Sequence, residues 1–251
     1  MSDLQPAPTL KLEMGSFYIP KDNPSKPLGE DAHFISADKQ TAGGWATKGI
    51  DAGEYARELI SNCATAVDAV AEVPAGIFLK SVLHTAFYVT TVVRGSSTVC
   101  IVRLDGEELR SVYVGDSGFM VFREYKCIYK SPVQQKGFNC PYQLGMEPGL
   151  DKPCVTVMAG DIVVVGTDGL MDNVFVGEVE RILEAAASVE TATPEDLARQ
   201  LAAAAMYNSY DENFLSPFSM AARAAGRKQT GGKIDDITVI VGRIVCAKNP
   251  D

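Results

Sequence analysis

"SSTVCIVRLDGEELRSVYVGD" spans Ser96–Asp116 and decides the fold class. Two apolar, β-branched runs, Ser96–Leu104 and Leu109–Asp116, flank the turn "DGEE". A link this short closes a hairpin and cannot carry a parallel crossover, so the two runs are antiparallel neighbours. Phe119–Pro132 reads as a second hairpin. "CVTVM" (Cys154–Met158) then passes through "AGD" into Ile162–Gly169, an apolar strand with a polar end. Asp235–Val245 closes the chain as a buried strand.

Helices flank this block. Asp51–Val73 places Tyr55, Leu59, Ile60, Cys63 and Val67 at helical spacing, with acids near its start. A second helix covers Ala75–Val89, although its β-branched residues weaken the helical preference. Downstream, Val176–Val189 is helical, and another helix runs to Tyr207, capped by Thr193 with Pro194 at its first position. Upstream, Ser16–Pro20 is a short β-prone run, Lys21–Glu30 a Pro- and Gly-punctuated loop and Asp31–Ala37 a strand. The order predicts an α+β fold, an antiparallel β-sandwich with helices outside. Residues 1–15 read as a tail or edge and 247–251 as a tail around one domain, 16–246.

Composition narrows the function classes. A chain of 251 residues with 46% hydrophobic content can bury one sizeable core. The net charge of -9, without a basic stripe, argues against nucleic acid as a partner. The six cysteines include no CxxC pair and read as reduced core thiols of an intracellular protein. No apolar run approaches the about 18 residues of a membrane span. The N-terminus lacks the features of a signal peptide. The expected location is therefore the cytosol or nucleus, or a plastid or mitochondrion if a transit segment has been removed.

Acid residues recur beside strand ends: Glu30–Asp31 before "AHFI", Asp116 in "VYVGDSG", Asp168 in "VVVGTDG" and Asp235–Asp236 before "ITVIV". "GD" and "DG" are also ordinary turn dipeptides, so each site alone has a plain reading. Converging carboxylates on rigid strand ends would repel one another unless a cation neutralised them. Hard divalent ions suit such oxygen ligands.

"GEDAHFI", "GSSTVCIV", "VYVGDSGFMVFR", "GTDGLMDN" and "GKIDDITVIV" occur in the order found in type 2C metal-dependent protein Ser/Thr phosphatases, and the chain resembles that family. "GIDAGEYARELISN" and "SPVQQKGFNCPYQL" resemble its plant and organelle branch, related to the T-cell-activation-type phosphatases. The resemblance runs from Leu12 to Val245. It implies a four-layer α-β-β-α sandwich, two Mg²⁺ or Mn²⁺ ions, a phosphoprotein substrate, a monomer, and hydrolysis of phosphoserine or phosphothreonine by metal-activated water without a phosphoenzyme. By the same resemblance Asp168 and Asp235 are ligands of the first metal, and Glu30 and Asp31 form the acidic pair near the second. Asp116, Ser117 and Gly169 support the site, and Asp236 stands behind it. Lys26 is the only nearby substitute for the phosphate-gripping arginine of many relatives. His33 reads as a packed strand residue, and His84 is the only other histidine. Substrate specificity would sit in the loop and flap over Asn208–Lys233.

The chain departs from the pattern in one place. Relatives run from "EDAHFI" through a turn and a strand into "GVADGVGGWA", whose aspartate bridges both metals. Here "DAHFISADKQT" leads straight to "AGGWATKG", and the strand with its Asp-Gly is expected to be missing. Asp38 is the only local substitute ligand; it also reads as a plain turn residue in "SADKQT". The alternative function is accordingly an impaired pseudophosphatase that binds phosphoproteins or competes with active relatives.

Overall fold

The computed structural model describes residues 9–49, 52–69, 75–90, 95–144, 153–189 and 191–247. The chain opens with β1 (Leu10–Ile19), β2 (Ala32–Ile35), β3 (Thr41–Trp45) and β4 (Thr47–Gly49). Helices α1 (Ala52–Ala69) and α2 (Ala75–Val89) follow, then β5 (Gly95–Ser97), β6 (Val99–Asp105), β7 (Glu108–Val114), β8 (Gly118–Arg123) and β9 (Lys126–Lys130). Next come β10 (Gln135–Gly137), β11 (Cys140–Pro141), β12 (Cys154–Thr156) and β13 (Ile162–Gly166). The last elements are α3 (Asp168–Met171), α4 (Val176–Ala187), α5 (Pro194–Tyr210), α6 (Pro217–Ala224) and β14 (Ile237–Cys246).

Two five-stranded sheets, ordered β1-β14-β13-β8-β9 and β12-β7-β6-β3-β2, carry the fold. All their pairings are antiparallel. Three apolar layers explain why the central strands are apolar without interruption. On β13, Ile162 and Val164 join the core under α4 and α5, whereas Val163 and Val165 join the core between the sheets. On β6, Val99 and Ile101 face the α1–α2 core, and Cys100, Val102 and Leu104 the inter-sheet core. A strand buried on both faces has no reason to alternate. The expected four-layer α-β-β-α sandwich is therefore the observed fold.

Four sequence expectations need correction. The proposed tail is not one from Leu10 onward: β1 pairs with β14 from Leu10↔Cys246 to Ile19↔Ile237. Residues 1–8 and 248–251 of the two tails, and the expected helix ends at Asp51 and 70–73, lie outside the described residues. The strand expected to be missing before Gly43 is present. Thr41–Trp45 forms it, joining β2 on one side and β6 on the other. The expected loop over Asn208–Lys233 contains the end of α5 and the whole of α6, capped by Ser216 with Pro217 in the first turn. The cysteines are all free, but only Cys63 and Cys100 are buried; Cys140, Cys154 and Cys246 are exposed.

Candidate metal centre

Strand ends from both sheets meet at one edge of the sandwich. Glu30 and Asp31 precede β2, Ala46 follows β3, Asp116 follows β7, Asp168 follows β13, and Asp235–Asp236 precede β14. All line one cavity of about 220 Å³, together with Lys21, Thr98, Pro141 and Gln143. Six carboxylates thus share a space the size of a small ligand. Four segments far apart in sequence supply them because antiparallel order returns each strand to the same edge.

Asp31 is 6% exposed and accepts from two threonines, Thr167 Oγ1 at 2.7 Å and Thr238 Oγ1 at 3.0 Å. Burial, then the charge of Asp168, pushes its carboxyl well above the usual range. Asp236 ties the loop before β2 to the start of β14. Its Oδ1 accepts from the Lys21 backbone N–H at 2.8 Å and its Oδ2 from that of Glu30 at 2.7 Å. Gly169 packs so closely on this strand that a Cβ would lie 2.0 Å from the Asp236 carbonyl oxygen. Ser117 is buried, with its Oγ 2.7 Å from Thr98 Oγ1.

Asp116 is pushed up to about 7 by burial and then by Asp168. Asp172 is pushed up to about 6 by burial, against the pull of Lys233. Two lysines, Lys233 and Lys21, hold these acids. The Lys233 Nζ bonds Asp168, lies 2.9 Å from Asp172 Oδ2 and 3.5 Å from Asp235 Oδ2. Burial would lower its pKa, but Asp168, Asp172 and Asp235 outweigh burial and hold it above the usual lysine range. Lys21 Nζ lies 3.3 Å from both Glu30 Oε2 and Asp235 Oδ1.

The remaining expected residues fall elsewhere. Lys26 pairs with Glu30 and does not line the cavity. Asp38 sits in the β2–β3 turn, beyond the other end of β2 from Asp31. It accepts from Ser36 and from the Gln40 N–H, and lies 3.9 Å from Arg103. The structure gives it the turn role. His33 packs between strands, Nε2 3.0 Å from Ser16 Oγ, with burial lowering its pKa. His84 lies against Tyr88 on α2. Sequence reasoning missed Lys21, Lys233, Asp172 and Ala46. Lys233 and Asp172 stand inside quoted motifs, "GKIDD" and "GLMDN", so their proximity to the acids was there to be read.

The donor set fits a hard divalent ion, since every carboxylate ligand is oxygen. The Lys233 ammonium lies against both Asp168 and Asp235, and the Lys21 ammonium against Asp235. Among the described residues no three acidic, histidine or cysteine side chains are drawn tightly enough to hold an ion as they stand. Carboxylates arranged around an ammonium at hydrogen-bond range are wider apart than the ~2.1 Å shell of Mg²⁺ requires. Ala46, the residue after β3, presents a methyl to the same cavity.

No protein-family model matches the chain. The chain is 41% identical over 251 residues to "Probable protein phosphatase 2C 55" of Arabidopsis thaliana, covering 95% of this chain and 53% of that protein. It is 34% identical over 270 residues to "Probable protein phosphatase 2C 26" of Arabidopsis thaliana, covering 97% of this chain and 88% of that protein. It spans just over half the length of the first two curated relatives it matches. Among solved structures, the photosystem II phosphatase PBCP superposes with a TM-score of 0.77 at 29% identity, over 92% of this chain and 98% of that one. The catalytic domain of the phosphatase PstP, solved with two manganese ions, shares the fold with a TM-score of 0.66 at 16% identity, over 94% of this chain and 100% of that one.

Proposed function

The chain belongs to the protein phosphatase 2C family, and on that premise we propose that it is a divalent-metal-dependent protein serine/threonine phosphatase acting at the carboxylate cavity. The observation that carries this reading is the meeting of six carboxylates from both sheets in one cavity. Asp168 and Asp235 would hold Mg²⁺ or Mn²⁺, with Glu30 and Asp31 lining the same cavity. A bound divalent ion supplies charge neutralisation for the phosphoryl group and a more acidic water. The chain's own groups set the frame. Thr167 and Thr238 fix the Asp31 carboxyl, and Asp236 fixes the backbone of Lys21 and Glu30. Proteins bearing phosphoserine or phosphothreonine are the proposed substrates.

A second reading, an impaired phosphatase that retains phosphoprotein binding, is favoured by Ala46. The strand end that would present the family's bridging aspartate carries a methyl group, which cannot ligate an ion. Phosphate release from a phosphoserine peptide with Mn²⁺, measured for the chain and for Ala46→Asp, separates the two. Release by the unaltered chain comparable to that of the variant supports the phosphatase reading and sinks the impaired one. Release only by the variant supports the impaired reading. Release by neither, with both proteins folded, contradicts the phosphatase reading.

A further inference from the structure

Lys233 is held in an unusual way. Its backbone is clamped from both sides by Asn173, a fully buried residue: the Lys233 N–H donates to Asn173 Oδ1 at 2.8 Å, and Asn173 Nδ2 donates to the Lys233 carbonyl at 2.9 Å. The preceding Gly232 packs against α5 so closely that a Cβ would lie 2.1 Å from the Asn208 carbonyl oxygen. The main chain therefore cannot drift, and the side chain is aimed at the acids. Its side chain is 14% exposed and touches Asp168, Asp172 and Asp235. The ammonium also lies over the ring of Phe218 on α6, 5.5 Å from its centroid. A face-on aromatic ring is a favourable place for an ammonium that has left its carboxylates.

We propose that Lys233 is a tethered counter-cation on the Asp168 and Asp235 carboxylates that line the cavity, and must be displaced from them, toward Phe218 and solvent, for a divalent ion to bind there. The inference rests on the divalent-metal reading above but not on turnover. Neutralising several buried carboxylates stabilises the metal-free protein. A divalent ion offers two charges to the same oxygens and expels the ammonium, because both cannot share Asp168 and Asp235. The expected consequence is weakened apparent metal affinity.

Mn²⁺ titration followed by electron paramagnetic resonance, on the chain and on Lys233→Met, tests this. We expect the variant to bind Mn²⁺ about tenfold more tightly or better, equivalent to ~1.4 kcal/mol. Equal or weaker binding by Lys233→Met, or no Mn²⁺ binding by either protein, overturns the proposal. A measurement on the unaltered chain covers the case in which the variant does not fold. Reductive methylation read by mass spectrometry should label Lys233 faster with Mn²⁺ than without it. An unchanged or slower rate overturns the proposal. Tighter Mn²⁺ binding by the variant without phosphate release would support Lys233 as the competitor while contradicting the phosphatase reading. Equal binding with phosphate release would do the reverse.

Discussion

Trp45 of β3 is the register partner of Ala32 of β2, so the next residue on each strand, Ala46 and Asp31, comes to the same cavity. The pairing sets Ala46 opposite Asp31 across the β2–β3 ladder end. The ladder is complete, with Thr41–Trp45 as the strand between β2 and β6. Ala46 brings a methyl, not a carboxylate, to the cavity.

Ala46→Asp should therefore add a seventh acid to the cavity. Without metal, like-charge repulsion is expected to lower stability by about 1 kcal/mol or more. Saturating Mn²⁺ should more than restore it, with a larger rise in Tm than the unaltered chain shows. Thermal unfolding with and without Mn²⁺ measures both effects. A variant whose Tm responds to Mn²⁺ no more than the parent would show that this position does not face the ion.

Asp116 gives a pH dependence of definite sign. Its folded pKa, about 7, lies above its unfolded value of 3.8. Such a group favours the folded state fully below the unfolded value, and that contribution is lost as pH rises through the folded one. Compared with Asp116→Asn in metal-free buffer, the unaltered chain should lose about 2 kcal/mol between pH 4 and pH 7, a figure discounted for partial solvent access. Denaturant unfolding across that range provides the comparison. A difference between the two proteins that stays flat with pH, or that grows in favour of the unaltered chain, would contradict the assignment.

Gly169→Ala tests the close approach of α3 to the start of β14. The added Cβ would lie 2.0 Å from the Asp236 carbonyl oxygen and 3.1 Å from Ile237 Cα, so backbone must move. A loss of about 2 kcal/mol or more is expected, with weaker Mn²⁺ binding because Asp168 and Asp236 flank the shift. Chemical denaturation reads the first effect and Mn²⁺ titration the second. A neutral result in both would mean that α3 and the start of β14 are not in contact.

Thr193→Ala should cost about 1 kcal/mol without changing metal binding. Thr193 accepts from the Asp196 N–H at 3.1 Å, and Asp196 accepts from the Thr193 N–H at 3.0 Å, a reciprocal cap at the start of α5. Unfolding curves give the cost. A shift in Mn²⁺ affinity would reveal an unsuspected coupling of α5 to the cavity.

Local chemistry made much of this legible. The cap at Thr193–Pro194, the α2 bounds at Ala75 and Val89, and both hairpins were readable because their signals lie within a few residues. The acids at strand ends were readable because antiparallel order brings such ends together. β3 was not. "TAGGW" has two glycines and weak β propensity, and its strand state comes from the ladders of β2 and β6 on either side. β1 was under-read for the same reason: Leu10–Gly15 becomes a strand through β14, more than two hundred residues away. Lys233 was overlooked because a lysine near acids reads as a solvated charge until the fold shows it nearly enclosed.

Mn²⁺ bound per chain, counted for the unaltered protein and for Asp168→Asn combined with Asp235→Asn, tests the central claim most directly. The account predicts at least one ion bound to the unaltered chain and its loss in the double variant, with the variant still folded by circular dichroism. No ion in the unaltered chain, or an undiminished count in the folded double variant, would contradict it.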